Sequence, residues 1–491
     1  MRNDLIIFHL PPNGGTTSPT LPMKFKLISS LFTCLAFTVL HAAPQRPPNL
    51  IVILADDLGW GELGCFGQQL IQTPRLDRMA AEGMRFTQFY SGATVCAPSR
   101  SVLMTGLHQG RTRIRGNSTN PTKLALHSGD LTVAEFLKSA GYRNGVFGKW
   151  GLGESGPAAS GLPLRKGFET FFGYLNHYHA HNHFPDHLWR NEERLPLPNR
   201  ARAVGDFGGS VTDDPVLFAD DLITDEVLKF IGRHQHEPFF VYWSPVLPHA
   251  NNERTTTQGN GAQVPDFGPY AGRDWPEQDK GHAAMITRLD SYVGRLIDHL
   301  RLLGLDQNTI VLFSSDNGPH NESKHNLARF RPAGPFTGTK RSLTEGGIRV
   351  PTIAWGPGLV PAGVTSGHAA YLGDWFATAA ELAGAKAPEG LNSVSFAAAM
   401  QGRPADQAAH DFLYWEFNER GFSQAVLYKG HWKFIRTTHP TRSVRLHDLE
   451  NDPSEAKNVA AEHADIVASI EAYLTTARRD DPAWPATTRI D

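Results

Sequence analysis

Two apolar runs, each leading into an acidic pair, most constrain the fold of this chain. Residues 49–55 read Asn-Leu-Ile-Val-Ile-Leu-Ala, and residues 309–313 form a similar run. Because the runs are almost continuously apolar, they predict strands buried on both faces, as in a parallel sheet covered by helices. The first run leads directly into Asp56-Asp57, and the second leads through two serines into Asp316-Asn317.

Helical segments alternate with such strands. Thr132 and Glu135 form a capping box, and apolar residues recur at spacings of three and four between residues 286 and 303. A further helix is predicted around 216–231, before a strand at 239–243. Repeated strand–helix–strand units predict a doubly wound α/β sheet, in which ligands bind at the carboxyl ends of the strands. The two acidic pairs, although distant in sequence, are therefore expected to meet.

The pattern changes near residue 405. Short strands are predicted at 426–428, 432–435 and 444–446, with a closing helix at 464–477, which indicates a small antiparallel sheet with one helix. The predicted regions are a leader at 1–43, a catalytic α/β domain at 44–405 and a C-terminal α+β subdomain at 406–491.

Composition and the first residues bear on location and partners. The formal net charge is −2 and no long basic run occurs, so no nucleic-acid partner is predicted. Residues 23–43 read as a signal peptide, because Lys24 and Lys26 precede a short apolar stretch that ends near Ala42-Ala43. We predict an exported protein, periplasmic or secreted, with no stable membrane span after cleavage. An uncleaved anchor helix is the alternative, and Met23 competes with Met1 as the true start.

The cysteines do not indicate a disulfide framework. Cys34 lies in the apolar part of the predicted signal, which leaves Cys65 and Cys96 in the mature chain. A disulfide between these two is the alternative, and it would abolish any chemistry at Cys96.

The acidic pairs predict a metal site. Asp56, Asp57, Asp316 and Asn317 offer only oxygen ligands, which suit Ca²⁺ or Mg²⁺ rather than zinc. The spacing alone does not separate Ca²⁺ from Mg²⁺.

A third feature is the run Cys96-Ala97-Pro98-Ser99-Arg100, followed by Thr105-Gly106. The run resembles the signature of the formylglycine-dependent sulfatases of the alkaline phosphatase superfamily. The resemblance implies an alkaline-phosphatase-like fold and Ca²⁺, with residue 96 among the metal ligands. It also implies that a formylglycine-generating enzyme oxidises Cys96 to formylglycine (3-oxoalanine), and that Arg100 holds the modified residue.

A hydrated aldehyde suits sulfate transfer for a chemical reason. One hydroxyl attacks sulfur and the alcohol leaves; the second hydroxyl is then deprotonated, the C–O bond breaks, and the aldehyde re-forms as sulfate departs. An ordinary serine would be left with a sulfate ester that is hard to hydrolyse.

Three other segments carry the same resemblance. It implies that Lys149, in Gly148-Lys149-Trp150, and Lys340, before Glu345-Gly346-Gly347, bind sulfate oxygens. His249, which follows Pro248, is expected to bind sulfate and, with Lys340, to stabilise or protonate the leaving oxygen.

One position departs from the family pattern. The family commonly has histidine after Gly-Lys-Trp, where it contacts the formylglycine hydroxyl, but this chain has Gly151. Candidates for the missing group are four histidines at positions 177, 179, 181 and 183, of which we favour His181 for this role or for substrate binding. A surface histidine-rich loop is the alternative. His320 is a further candidate at the pocket edge.

The sequence therefore predicts a sulfuric ester hydrolase that acts on a sulfated carbohydrate or an aryl sulfate. Two alternatives remain open: a phosphate or phosphonate monoester hydrolase of the same superfamily, and a non-catalytic relative that binds sulfated glycans.

Overall fold

The computed structural model describes residues 46–154, 156–419, 421–438 and 441–486. The predicted leader, with its signal and Cys34, lies outside these residues. Within the described ranges, no helix has both the length and the apolar character that crossing a bilayer requires.

Most of the strands belong to one mixed sheet of ten, in the order β13-β2-β12-β11-β1-β10-β4-β5-β6-β7. The strands are β1 (Asn49–Ala55), β2 (Met84–Phe86), β3 (Phe89–Tyr90), β4 (Arg143–Lys149), β5 (Thr170–Tyr174), β6 (His187–Arg190), β7 (Glu193–Pro196), β8 (Ala201–Ala203), β9 (Ser210–Thr212), β10 (Phe239–Ser244), β11 (Thr309–Ser315), β12 (Thr352–Trp355), β13 (Val364–Ser366), β14 (Ala370–Tyr371), β15 (Phe412–Phe417), β16 (Ser423–Tyr428), β17 (Trp432–Thr437) and β18 (Ser443–Asp448).

Helices lie between these strands as the sequence predicts. They are α1 (Pro74–Ala81), α2 (Cys96–Thr105), α3 (Val133–Ser139), α4 (Ala219–Arg233), α5 (Asn252–Gln258), α6 (Glu277–Leu302), α7 (Leu327–Phe330), α8 (Glu345–Ile348), α9 (Trp375–Leu382), α10 (Ala397–Met400) and α11 (Ala464–Ala477). The capping box that starts α3 is present: Glu135 N donates to Thr132 Oγ1 at 3.1 Å, and Thr132 N donates to a Glu135 carboxylate oxygen at 2.9 Å.

The centre of the large sheet is parallel, from β11 through β1, β10 and β4 to β5. Every residue of β1 is buried, and alternate side chains enter two different cores. Ile51 and Ile53 join the core under α4 and α6, whereas Leu50 and Val52 join the core under α3 and α9. The sheet is therefore covered on both faces, which confirms the predicted α/β architecture.

A second sheet has four antiparallel strands in the order β15-β16-β17-β18. One face packs on α11, where Val426 and Phe434 meet Ile470. The other face packs against α2, where Ala425 and Val102 share a core. The C-terminal sheet therefore supports the helix that begins at Cys96.

A buried ion pair fastens this second sheet to α8. Lys433 Nζ on β17 lies 2.8 Å from Glu345 Oε1 and 3.5 Å from Glu455 Oε1, and the Lys433 and Glu345 side chains are fully buried. Tyr90 adds a hydrogen bond to Glu345 at 2.9 Å. Because α8 ends the loop that carries Lys340, this ion pair also fixes that loop.

We expect Lys433→Met to lower the free energy of unfolding by about 3 kcal/mol or more, because two buried carboxylates lose a shared cation and, within the described residues, Glu345 keeps only Arg349. The midpoint of urea unfolding measures the effect. Lys457→Met is the matched control: its exposed pair with Glu462 should contribute about 1 kcal/mol or less. Equal shifts for the two variants would contradict this account.

Candidate active site at the strand ends

The two acidic pairs meet at the carboxyl ends of β1 and β11. The parallel register pairs Ala55 with Ser315, so Asp56 and Asp316 follow side by side. Asp57 N donates to Asp316 Oδ1 at 3.1 Å, and Asn317 Nδ2 donates to Asp57 Oδ1 at 2.7 Å. All four side chains are fully buried. The structure thus brings together the two acidic pairs, which the sequence predicts to meet at the carboxyl ends of the strands.

Each carboxylate of this cluster has a cation from a different element. The pairs are Arg100 Nη2 with Asp316 Oδ2 at 2.7 Å, Lys149 Nζ with Asp56 Oδ2 at 2.7 Å, and Lys340 Nζ with Asp57 Oδ2 at 2.8 Å. Burial and the neighbouring Asp56 raise the pKa of Asp316 to about 7. Burial also acts to raise the pKa of Asp56, but Lys149 and the other cations outweigh it and hold that pKa well below its usual range.

The donor set fits a hard divalent cation. Asp56 Oδ1 and Asn317 Oδ1 are buried, and neither accepts a hydrogen bond from the described residues. Buried oxygen atoms without a donor are rare unless something else occupies their lone pairs. The chemistry of these oxygens matches Ca²⁺ or Mg²⁺.

Cys96 is the first residue of α2, a position that favours negative charge at the helix N-terminus. Cys65 and Cys96 are both free, so the alternative of a disulfide between them is not supported. Cys96 Sγ lies 3.7 Å from Asn117 Oδ1, which also accepts a hydrogen bond from Ala97 N at 3.2 Å. Burial raises the pKa of the Cys96 thiol, so the unmodified side chain is a poor nucleophile.

Lys340 reaches the site on a tightly folded loop. Lys340 N donates to Pro319 O at 2.8 Å, which ties the loop to the end of β11. At Gly347 an added Cβ would lie 2.0 Å from Ser342 O, so the loop can close only with glycine there. Burial acts to lower the pKa of Lys340, but Asp57 and Glu322 raise it above its ordinary value, so the ammonium stays charged.

His249 faces the same cavity with a defined tautomer. Its Nδ1 lies 2.6 Å from Ala250 O, and because a carbonyl only accepts, Nδ1 carries the proton. Nε2 is then an acceptor, 3.3 Å from Lys340 Nζ. Burial and Lys340 lower the pKa of His249 well below its usual value, which favours the neutral ring.

The four candidate histidines near residue 180 take different positions. His181 stacks on His249 with ring centroids 4.7 Å apart, and its Nδ1 lies 3.0 Å from Glu253 Oε2. His177 lines the cavity beside His181. His183 does not line the cavity, and its Nε2 lies 2.8 Å from His249 O. His179 does not line it either, and its ring stacks on His187. The alternative of a surface loop does not hold, because all four candidates are buried.

The sequence predicts His320 at the edge of the pocket, but the structure places this residue elsewhere. Its Nε2 lies 3.0 Å from Pro248 O, and its Nδ1 accepts a hydrogen bond from Glu322 N at 3.0 Å. The ring is buried, with both nitrogens already engaged. His320 therefore supports the segment that carries His249, and we no longer assign it a substrate contact.

A cavity of about 340 Å³ opens over these groups. Its lining residues are Cys96, Asn117, Ser118, Thr119, His177, Tyr178, His181, His249, Asn252, Lys340, Arg341 and Glu419. Asn117, Tyr178, Arg341 and Glu419 were not found by sequence reasoning. All four lie outside the regular strands and helices, where neither periodicity nor a motif marks them.

A buried carboxylate cluster beside a helix N-terminus and two lysines, at the carboxyl ends of a parallel sheet, is a hydrolase site suited to a tetrahedral anion. The profile of the Sulfatase family matches residues 48–385, more than half of the chain. A second profile, N-sulphoglucosamine sulphohydrolase, C-terminal, matches residues 336–480. The chain therefore belongs to the sulfatase family, whose members hydrolyse sulfuric esters, and the predicted resemblance is confirmed.

Individual relatives agree with this assignment. The chain is 33% identical over 413 residues to N-acetylgalactosamine-6-sulfatase of Sus scrofa, a match that covers 79% of this chain and 72% of the relative. It is 34% identical over 371 residues to arylsulfatase A of Homo sapiens, covering 70% and 66%. A solved sulfatase of Bacteroides thetaiotaomicron, from the metabolism of multiple glycosaminoglycans, superposes with a TM-score of 0.73 at 27% identity, covering 88% and 99%.

The orphaned oxygens lead to a test of cation binding. After treatment with a chelator, added Ca²⁺ should raise the melting temperature of the protein, with about 2.7 kcal/mol of stabilisation when free Ca²⁺ is about 100 times Kd. Asn317→Ala, which removes one orphaned oxygen, should weaken this response. Asn451→Ala on an exposed turn is the control and should leave it unchanged. A wild-type melting temperature indifferent to both Ca²⁺ and Mg²⁺ would refute the site.

Proposed function

We propose that this protein removes sulfate from a sulfated carbohydrate, using formylglycine made from Cys96 as its nucleophile and a Ca²⁺ ion held by Asp56, Asp57, Asp316 and Asn317. Mg²⁺ fits the same oxygens. The ion would supply charge to the sulfate oxygens and lower the pKa of the attacking hydroxyl.

One observation carries this proposal: Cys96 lines a cavity whose walls offer positive charge and imidazole rings. Lys340 and Arg341 are charged, because Asp57 and Glu322 keep both pKa values above their ordinary range despite burial. Lys340 Nζ lies beside His249 Nε2, so the ammonium can donate a hydrogen bond or its proton to a leaving oxygen near this pair. The charge of a sulfate is redistributed during transfer, and fixed positive charges in the cavity wall can stabilise it.

The substrate class rests on the relatives and on the cavity mouth. One relative is named for a 6-sulfated amino sugar, and another is named for aryl sulfates. Tyr178 lines the cavity, and its ring lies 5.6 Å from that of Phe207, which is 48% exposed. A partly exposed aromatic pair gives an apolar surface on which the face of a sugar ring packs. This surface is consistent with a carbohydrate substrate.

Maturation needs a partner that acts before folding. All ten residues of α2 are buried, including Pro98 and Arg100 of the signature run. A formylglycine-generating enzyme could not read this segment in the folded protein, so it must act on the extended chain. Export through the predicted signal at residues 23–43 is consistent with modification of an unfolded chain.

Substrate preference can be measured directly. Wild-type protein that carries formylglycine should release sulfate from defined sulfated saccharides with a higher kcat/KM than it shows for an aryl sulfate, a phosphate monoester or a phosphonate ester. Higher kcat/KM for the phosphorus esters would favour the phosphohydrolase alternative. Binding of sulfated glycans without any sulfate release would favour the non-catalytic alternative.

The nucleophile has its own test. Cys96→Ala should reduce kcat by about 10⁴-fold or more, since loss of a covalent nucleophile has effects of this size. Cys96→Ser is the matched control, because it keeps an oxygen nucleophile but lacks the second hydroxyl. It should release one equivalent of alcohol and then stop. Mass analysis of the residue 96 peptide should show an aldehyde in the active wild type; an unaltered thiol with full activity would exclude the proposal.

A further inference from the structure

The proposed reaction needs a base that no residue has yet been assigned. After sulfate transfer, the second hydroxyl at residue 96 must lose a proton before the C–O bond can break. The base must face the cavity, carry no positive charge, and have a free nitrogen or oxygen lone pair.

Most side chains that line the cavity fail one of these conditions. Lys340 and Arg341 are cations. His249 carries its proton on Nδ1, and its Nε2 already faces Lys340 Nζ at 3.3 Å. The ring of His181 is held through Nδ1 by Glu253 at 3.0 Å, which leaves its Nε2 as a second possible acceptor. Glu419 Oε2 lies 3.3 Å from the guanidinium of Arg341, whereas Glu419 Oε1 has no hydrogen-bond partner within the described residues. His181 and Glu419 are therefore rivals of His177, and the position of His177 beside Gly151 distinguishes it from them.

His177 meets all three conditions. It lines the cavity together with Cys96 and His249, and neither ring nitrogen has a hydrogen-bond partner within the described ranges of the chain. Burial lowers the pKa of His177 well below its usual value, and the nearby charge of Lys149 lowers it further. The ring is therefore a neutral imidazole close to a lysine of the site.

The backbone explains why His177 can reach this point. The parallel register of β4 and β5 pairs Lys149 with Tyr174, and it continues past the strand ends, where Gly151 N donates to Leu175 O at 3.1 Å. A side chain placed at Gly151 would have its Cβ 3.8 Å from the Cβ of His177, and among the described residues outside its own chain neighbours no other atom lies within 4 Å. Gly151 and His177 both line a smaller pocket that shares His177 with the cavity, and glycine at 151 places no side chain beside the histidine.

We propose that His177 is the base that releases sulfate from residue 96. A free ring nitrogen of His177 takes the proton of the second hydroxyl, the electron pair of that O–H bond forms the C=O bond, and the C–O bond to the sulfo group breaks. Sulfate leaves with the electron pair of that bond, and the imidazolium returns its proton to sulfate or water. This role rests on the proposed function, which has its own tests at Cys96.

The experiment combines steady-state kinetics with mass analysis of enzyme quenched during turnover. His177→Ala and His177→Gln should each lower kcat by about 10²-fold or more, the usual contribution of a general base. Both variants should carry one sulfo group on the residue 96 peptide in most molecules, with a burst of one equivalent of alcohol. Quenched wild type should carry little. The glutamine variant keeps the volume of the side chain, so it separates the loss of the base from the loss of packing.

His181→Ala is the matched variant from the same segment, and it tests the rival ring. It should raise KM for a sulfated saccharide without accumulation of the sulfo group, because His177 remains to take the proton. Accumulation in His181→Ala but not in His177→Ala would assign the base to His181 and overturn the proposal. Unchanged kcat in both His177 variants, or lowered kcat without the sulfo group, would overturn the assignment. Wild type that lacks the aldehyde or releases no sulfate would instead count against the proposed function.

A relocated base gives a second test. The double variant Gly151→His/His177→Ala places an imidazole on the adjoining backbone position, where the Cβ that alanine keeps lies at an ordinary contact distance of 3.8 Å. Gly151 has φ of 70°, a left-handed conformation that histidine adopts more readily than most residues. The double variant should recover about tenfold or more in kcat over His177→Ala, with loss of the accumulated sulfo group. No recovery together with an unaltered melting temperature would argue against a proton-transfer role.

Discussion

The neutralisation of three buried carboxylates is the interaction on which the site and much of the fold depend. Asp56, Asp57 and Asp316 lie together with no exposure to solvent, where like charges repel strongly. Each is held by a cation from a separate part of the chain: helix α2, strand β4 and the loop before α8. Loss of any one cation would remove a close partner from a buried carboxylate, so these three elements must come together as one unit.

The same arrangement explains how the lysines could serve a substrate. In the protein alone, Lys149 forms a salt bridge with Asp56, and Lys340 forms one with Asp57. A divalent cation among the carboxylates would take over their neutralisation, and the two ammonium groups could then turn towards a sulfate. Binding of a cation and binding of an anion would then be coupled through these shared partners, because charge must balance in a buried site.

The parts that were predicted from sequence are those with a local physical signal. β1 and β11 are continuous apolar runs, α11 matches its predicted range, and the parallel register then forces Asp56 beside Asp316. The short strands β6 and β7 at one end of the large sheet were not predicted, because they are partly polar and carry no clear period. The strand β15 was also missed, although it is mostly apolar and buried. Side chains on loops, such as Arg341 and Asn117, were missed because tertiary backbone contacts alone decide where they point.

The departure at Gly151 shows how a site can change its sequence without losing its chemistry. In a parallel sheet, neighbouring strands end at the same edge, so residues just past either end reach the same cavity. Lys149 on β4 and Tyr174 on β5 are direct partners, which brings Gly151 alongside the segment that carries His177. A proton acceptor can therefore be supplied from either strand. Glycine at 151 with histidine at 177 still places an imidazole at this edge, so the missing motif histidine is consistent with an active enzyme.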